Sequence, residues 1–219
     1  MFSIEKIDLK KLFSNFTFPE YYKNSGHIYS DKYYNLMYSF AKFVKSRFAK
    51  NKKFNLLILG GLYGCSTKSI VEALGDSVKT IEIVDNGSEY KGQNDILKQN
   101  LLQDYVFTLY DEDWRKFIKD NPDTYDFILI DNEISKSSVE KQLDWAFKRC
   151  SKKGGVIVDD LANKDVRAVV ENFEKKNSDK CTVKYIHQPD SWTGMAFILK
   201  DVIDIVPFDE DEDEIDEDE

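Results

Sequence analysis

Short apolar runs alternate with amphipathic segments along most of the chain. Residues 54–59, FNLLIL, form an apolar run of the length of a buried strand, and residues 125–130, YDFILI, form another. Between such runs, apolar residues recur every three or four positions, which is the period of an amphipathic helix. Strands that alternate with helices predict an α/β fold built on a parallel sheet.

The same pattern locates the individual elements. Seven strands are predicted, at residues 54–59, 79–84, 105–110, 125–130, 156–158, 182–187 and 194–199. Helices are predicted at about residues 31–49, 67–74, 91–102, 111–118, 137–150 and 164–175, and the SKKGG stretch at 151–155 is predicted to be a tight turn. Only a short loop separates the last two strands, which predicts an antiparallel hairpin at one edge of the sheet.

Composition divides the chain into three parts. Residues 1–50 are rich in aromatic side chains and are predicted to form a helical cover, either along one edge of the sheet or as a lid over a ligand. In the lid interpretation, His27, Tyr29 or Tyr33 faces a substrate. Residues 51–200 form the α/β domain. Residues 201–219 hold 12 of the 40 acidic residues and no Lys or Arg, so this tail is predicted to be disordered, with its partner unknown.

Charge and cysteine content narrow the class of protein. The net charge of −9 comes from the tail, since residues 1–200 carry a net charge of +3. A near-neutral body argues against a strongly basic nucleic-acid-binding surface. Neither a membrane span nor a signal peptide is expected from the sequence. The three widely spaced cysteines, Cys65, Cys150 and Cys181, are predicted to be reduced thiols of a cytoplasmic protein, for which a homo-oligomeric state stays open.

A glycine-rich turn follows the first strand. It contains Gly60, Gly61 and Gly64, and Ser66 or Thr67 is predicted to cap the helix that comes next. Glycines lack the Cβ atoms that would keep a ligand from the backbone, and the free N–H groups of a helix start bind anionic groups. The spacing G-G-x-x-G-x-S-T lacks the lysine of a P-loop and differs from the dinucleotide pattern, which disfavours a nicotinamide-dependent oxidoreductase.

Carboxylates follow four further strands. Because the carboxyl ends of parallel strands meet at one edge of the sheet, these residues are expected to lie near the glycine turn. Asp85 is well placed to bind both hydroxyls of a ribose, or it belongs to a simple turn. Asp131, Asp159 and Asp160 are suited to Mg²⁺ because they offer only oxygen ligands, or else they cap the neighbouring helices. Asp111 follows the third strand.

The glycine turn, the ILID sequence that ends the fourth strand and the GGVIVDD sequence that ends the fifth resemble class I S-adenosylmethionine-dependent methyltransferases. Within that family the chain is most similar to metal-dependent O-methyltransferases of small molecules and sugars. The resemblance implies a Rossmann-like, doubly wound sheet of seven strands, and a Mg²⁺ ion that presents a substrate hydroxyl to the methyl group. It implies that Asp111 meets the adenine amino group. The implied cofactor ligands are Gly60, Gly61, Gly64, Ser66, Asp85 and Asp111.

Two positions depart from the family pattern. Ile58 stands where the family usually carries an acid that helps to hold the methionine end of the cofactor, and Ile134 stands where related enzymes often carry a basic residue or histidine. The catalytic base is therefore unassigned, and the catalytic candidates are Asp131 and, as stand-ins for the base, Lys136 and His27. The sequence predicts a methyltransferase that modifies a hydroxyl of a small molecule or sugar. The alternative is a methyltransferase-fold protein that binds or assembles without catalysis.

Overall fold

The computed structural model describes residues 4–20, 31–88, 90–102, 104–187 and 194–202. Its strands are β1 (Phe54–Leu59), β2 (Val78–Val84), β3 (Thr108–Tyr110), β4 (Tyr125–Ile130), β5 (Cys150–Val158), β6 (Thr182–His187) and β7 (Gly194–Leu199). They form one sheet in the order β3-β2-β1-β4-β5-β7-β6. β1 to β5 are parallel, whereas β7 runs antiparallel to both β5 and β6. The predicted mostly parallel sheet with an antiparallel C-terminal hairpin is confirmed.

The helices cover both faces of the sheet. They are α1 (Leu9–Leu12), α2 (Asp31–Ser46), α3 (Cys65–Leu74), α4 (Gln93–Leu102), α5 (Trp114–Asp120), α6 (Lys136–Arg149) and α7 (Lys164–Asn177). Alternate residues of β1 enter two separate cores, with Leu56 and Ile58 facing α2 to α4 and Leu57 and Leu59 facing α5 to α7. This alternation makes the fold doubly wound, as predicted. None of the helices in the described part of the chain has the length and apolar content to cross a membrane.

The long N-terminal helix α2 lies on a face of the sheet and not along its edge. The ring of Phe40 packs on Phe127 of β4 and Phe197 of β7, with centroids 5.7 and 4.6 Å apart. A Cβ atom on Gly155 of β5 would lie 2.7 Å from Val44 Cγ2, so the missing side chain allows this close approach. The apolar positions of β4, β5 and β7 on this face require a helix above them, and α2 provides it. The assignment of residues 1–50 as an edge cover or a lid stays a prediction.

Several predicted boundaries also differ from the structure. β3 begins at Thr108 and not at residue 105, and α2 ends at Ser46 and not at 49. The predicted SKKGG turn is a bulge inside β5, because Cys150 pairs with Tyr125 and the next paired residue is Gly155. α5 begins after Asp113, whose side chain accepts a hydrogen bond from the Arg115 N–H.

Candidate functional site

The glycine turn joins β1 to α3 at the carboxyl edge of the sheet. Gly60 and Gly64 adopt φ angles of +95° and +90°, which favour glycine. A Cβ atom on Gly60 would lie 1.9 Å from the main-chain oxygen of Asp131, and one on Gly61 would lie 2.4 Å from Leu97 Cδ1. The protein's own packing therefore requires these glycines, whatever ligand the turn binds.

The predicted side-chain cap of α3 is wrong. Gly64 is the N-cap residue, and no side chain caps the helix. Ser66 and Thr67 are the second and third residues of α3, inside its first turn. The Thr67 hydroxyl is buried, and the described part of the chain offers it no hydrogen-bond partner. Cys65, the first residue of α3, is a buried free thiol whose pKa is raised to about 12 by burial, which suits packing and not nucleophilic attack.

The Asp85 carboxylate, predicted to bind a ribose, accepts hydrogen bonds from the glycine turn. Its Oδ2 atom accepts from the N–H of Gly61 at 2.7 Å, the N–H of Leu62 at 3.1 Å and Gln93 Nε2 at 2.9 Å. Its Oδ1 atom accepts from the Gly87 N–H at 2.8 Å. Each carboxylate oxygen offers about two acceptor positions, and Oδ1 accepts one of the hydrogen bonds given above, so Oδ1 retains capacity for another donor. Asp85 thus connects the end of β2 to the glycine turn and to α4, which a simple turn would not require.

Two amide side chains at the start of α4 contact Asp85 and Asp111, the two aspartates that are predicted to bind the cofactor. Asn94 Nδ2 donates to the main-chain oxygen of Asp85 at 3.0 Å and to Asp111 Oδ1 at 3.1 Å. The side-chain oxygens of Gln93 and Asn94 are buried and have no hydrogen-bond partner among the described residues. An unpaired buried acceptor costs about 1–3 kcal/mol, which a ligand with hydroxyl or amino donors would offset.

Sequence reasoning missed Gln93 and Asn94. Their signal was the presence of two polar residues at the buried start of a helix whose later inward positions, Leu97 and Leu101, are apolar. Such a signal needs the structure for its interpretation, because a polar pair at a helix start is also typical of a cap.

The carboxyl groups at the ends of β4 and β5 meet. The side chains of Asp131 and Asp159 interact, and Asp159 is only 5% exposed. Burial and the neighbouring Asp160 charge raise the pKa of Asp159 to about 7. The Tyr33 hydroxyl of α2 donates to Asp159 Oδ2, and burial raises the pKa of Tyr33 well above its usual value.

Asp160 completes the turn after β5 through its backbone. Its φ angle is +61°, and its N–H donates to Asp159 Oδ1 at 2.7 Å. The alternative that these aspartates cap helices is wrong, because Asn163 caps α7 and Ser135 occupies the N-cap position of α6. Among the residues that the structure describes, no group of three or more His, Cys, Asp or Glu side chains could hold a metal ion. The Mg²⁺ site therefore stays a prediction that this geometry does not support.

The other residues that the sequence analysis singled out are either exposed, buried in the core or outside the described residues. Lys136 is the exposed first residue of α6, and Ile134 is also exposed. Ile58 is fully buried in the core that α2 covers, so its apolar side chain suits its surroundings. His27 and Tyr29 lie outside the described residues.

The N-terminal segment covers the glycine turn. The Asn100 side chain of α4 accepts from the Thr17 N–H at 2.7 Å and donates to the Tyr63 main-chain oxygen at 2.9 Å. Phe13 and Tyr34 pack with Tyr63 and Cys65 in one buried cluster. The described part of the predicted cover thus lies over the same edge of the sheet as the acidic residues.

Solved structures with this fold include several methyltransferases. The O-methyltransferase TomG from Streptomyces achromogenes, involved in tomaymycin synthesis and solved in complex with SAM, has a TM-score of 0.64 and 13% identity over 91% of this chain and 92% of its own. An O-methyltransferase from Bacillus cereus in complex with SAH has a TM-score of 0.56 and 15% identity, covering 73% of this chain and 80% of its own.

A ribosomal RNA methylase from Streptococcus thermophilus also has this fold, with a TM-score of 0.58 and 12% identity over 77% of this chain and 96% of its own. No protein-family model and no curated protein matches the sequence. At these identities the likeness establishes the fold. The chain has the fold of class I S-adenosylmethionine-dependent methyltransferases, as its motifs predicted.

Proposed function

We propose that the protein binds S-adenosylmethionine and transfers its methyl group to a hydroxyl oxygen of a small molecule, with sugars among the candidate substrates. The observation that carries this proposal is the network of Asp85, Gln93, Asn94 and Asp111 beside the glycine turn. Its unpaired acceptor oxygens suit the hydroxyl and amino donors of a nucleoside. Similar solved structures contain SAM or SAH.

In this proposal, one group of residues at the carboxyl edge binds the cofactor and another accepts the proton of the substrate. The Asp85 Oδ1 atom would accept a ribose hydroxyl, and the Asn94 and Asp111 side chains would orient the base. Bound S-adenosylmethionine would supply an electrophilic methyl group. Asp131 is more exposed than Asp159, so it is the member of the carboxyl pair that is proposed to accept the proton of the substrate hydroxyl.

Mg²⁺ assistance, which the family resemblance implies, is not part of the proposed reaction. The described carboxylates do not assemble a three-ligand site, so no step of the proposed reaction depends on a cation. The alternative of a catalytically inactive binding protein draws support from Ile58, since its buried apolar side chain cannot replace the family's acid.

Calorimetry with S-adenosylhomocysteine, S-adenosylmethionine and NAD tests the proposal. We expect the first two to bind and NAD not to bind. Asp85→Ala should weaken binding by about 1–3 kcal/mol, the scale of hydrogen bonds that involve a charged group. The matched control is Asp95→Ala, an exposed aspartate of α4 that contacts neither the glycine turn nor Asp111 in the hydrogen bonds described above. If neither adenosyl compound binds the wild-type protein, the proposal is wrong.

Methyl transfer from labelled S-adenosylmethionine to a panel of hydroxyl compounds distinguishes the active enzyme from the binding protein. Transfer that is lost in Asp131→Asn, with affinity for S-adenosylhomocysteine retained, supports the proposed role of the carboxyl pair. Binding without transfer to any member of the panel would favour the inactive binding protein.

A further inference from the structure

The first turn of α2 reaches the carboxyl edge of the sheet through Tyr33. Its hydroxyl donates to Asp159 Oδ2, across 126 positions of sequence, and its ring packs edge-on against Tyr34 at a centroid distance of 5.0 Å. Tyr34 in turn packs against Phe13 and lies in the cluster that covers the glycine turn. The position of Tyr33 is therefore fixed by packing that does not involve the carboxylates.

Both oxygens of Asp159 have donors from within the chain. The Oδ2 atom accepts from Tyr33, and the Oδ1 atom accepts from the Asp160 N–H at 2.7 Å. A Mg²⁺ ion requires several oxygen ligands in near-octahedral geometry. Coordination by Asp159 would require a cation to compete with these hydrogen bonds for a side chain that is only 5% exposed.

We propose that the Tyr33 hydroxyl excludes a divalent cation from the Asp131–Asp159 pair, so that helix α2 occupies the position of a metal centre in this protein. The Asp159 carboxylate accepts hydrogen bonds from the Tyr33 hydroxyl and the Asp160 N–H, where a cation would otherwise neutralise the repulsion between the neighbouring carboxylates. The inference goes beyond the proposed function, since it concerns the carboxyl pair with or without a bound cofactor.

Thermal unfolding in a MgCl₂ titration, with KCl at equal ionic strength as the salt control, tests the inference without cofactor. Wild-type protein should show no saturable rise in melting temperature. Tyr33→Phe removes the hydroxyl and keeps the ring, so this variant should gain a saturable rise of several degrees. The double variant Tyr33→Phe/Asp159→Asn should lose that rise, which would assign the bound ion to Asp159.

Tyr38→Phe is the matched control, because Tyr38 is a partly buried tyrosine of the same helix and packs on the main core. It should behave like the wild type. Tyr33→Met is a second variant in case the phenyl ring is not tolerated. A saturable Mg²⁺ effect in the wild type, or none in any folded variant that lacks the Tyr33 hydroxyl, would overturn the inference. Calorimetric binding of S-adenosylhomocysteine is measured separately, so the proposed function can fail without affecting this result.

Discussion

Gly60 illustrates how a residue that resembles a ligand contact serves the protein's own packing. Its positive φ angle and its approach to the Asp131 main-chain oxygen leave no room for a side chain. A substitution at Gly60 therefore disturbs β4 as well as the turn, and a loss of ligand binding in such a variant would not by itself identify a ligand contact.

We expect Gly60→Ala to lower the free energy of unfolding far more than Gly92→Ala. Gly92 also has a positive φ angle, of +76°, but a Cβ atom there would meet nothing within 4 Å. The control therefore measures left-handed strain alone, which costs roughly 1–2 kcal/mol. Urea unfolding of both variants gives the comparison, and equal losses would show that the backbone yields at Gly60 without cost.

Asp159 should make stability depend on pH. Burial and the Asp160 charge raise its pKa to about 7 in the folded protein, against about 4 in an unfolded chain. Between these values the folded state binds more protons, so this contribution to stability is fully present below about pH 4 and is lost as pH rises through 7. Asp159→Asn keeps an acceptor for Tyr33 and should flatten the fall in melting temperature over this range.

The control for this pH series is Asp95→Asn, which changes an exposed carboxylate of α4. Its melting temperature should follow the wild-type curve. If Asp159→Asn also follows that curve, the carboxyl group of Asp159 does not titrate abnormally.

At the scale of whole elements, the position of α2 depends on a strand residue without a side chain. Gly155→Ala would place a Cβ atom 2.7 Å from Val44 Cγ2 and 2.9 Å from Phe40 Cε1, which should push α2 away from β5 and lower stability. Val44→Ala removes the nearest methyl groups. In a double-mutant cycle by urea unfolding, the two changes together should therefore cost less than the sum of the separate losses. Strict additivity would show that α2 and β5 do not contact as described.

The elements differ in how far the sequence predicts them. The bounds of β1, β4 and β7 follow from short, largely apolar runs, and those of β6, with the mixed sequence TVKYIH, were also predicted. The start of β3 was misplaced because Val106 belongs to an apolar run and yet is 94% exposed in a loop. The bulge in β5 carries no periodic signal, since it depends on pairing between β4 and β5.

The sequence predicted which aspartates lie at the candidate site, because their positions follow from the topology of the sheet. Asp85, Asp111, Asp131 and Asp159 come together because parallel strands deliver their carboxyl ends to one edge. Their hydrogen-bond partners were not predictable, because Tyr33 and Asn94 reach them from other elements. Whether three aspartates form a metal site or accept hydrogen bonds from other residues depends on such partners, and spacing along the chain does not contain that information.

Among the described residues, the two ends of the parallel strands differ in their charged side chains. The carboxyl edge of the parallel strands collects aspartates, whereas basic residues precede β1 and β5 or follow β7 at the opposite edge. There Lys52 pairs with the buried Asp126 at 2.9 Å, and Lys200 Nζ donates to the Cys150 main-chain oxygen at 2.6 Å. The described chain ends at residue 202, shortly after β7, and therefore ends at the basic edge. Residues 203–219 lie outside the described residues.

The final prediction concerns the acidic run at residues 209–219. We expect its deletion to leave the melting temperature and the affinity for S-adenosylhomocysteine nearly unchanged, because exposed charges contribute little to stability and the run offers almost no apolar surface. An extended tail could reach around the molecule at about 3.5 Å per residue, but the aspartates at the candidate site would repel it. Any attraction to the basic edge should appear only at low salt and vanish at high ionic strength. A loss of several degrees that persists at high salt would instead show that the tail packs against the domain.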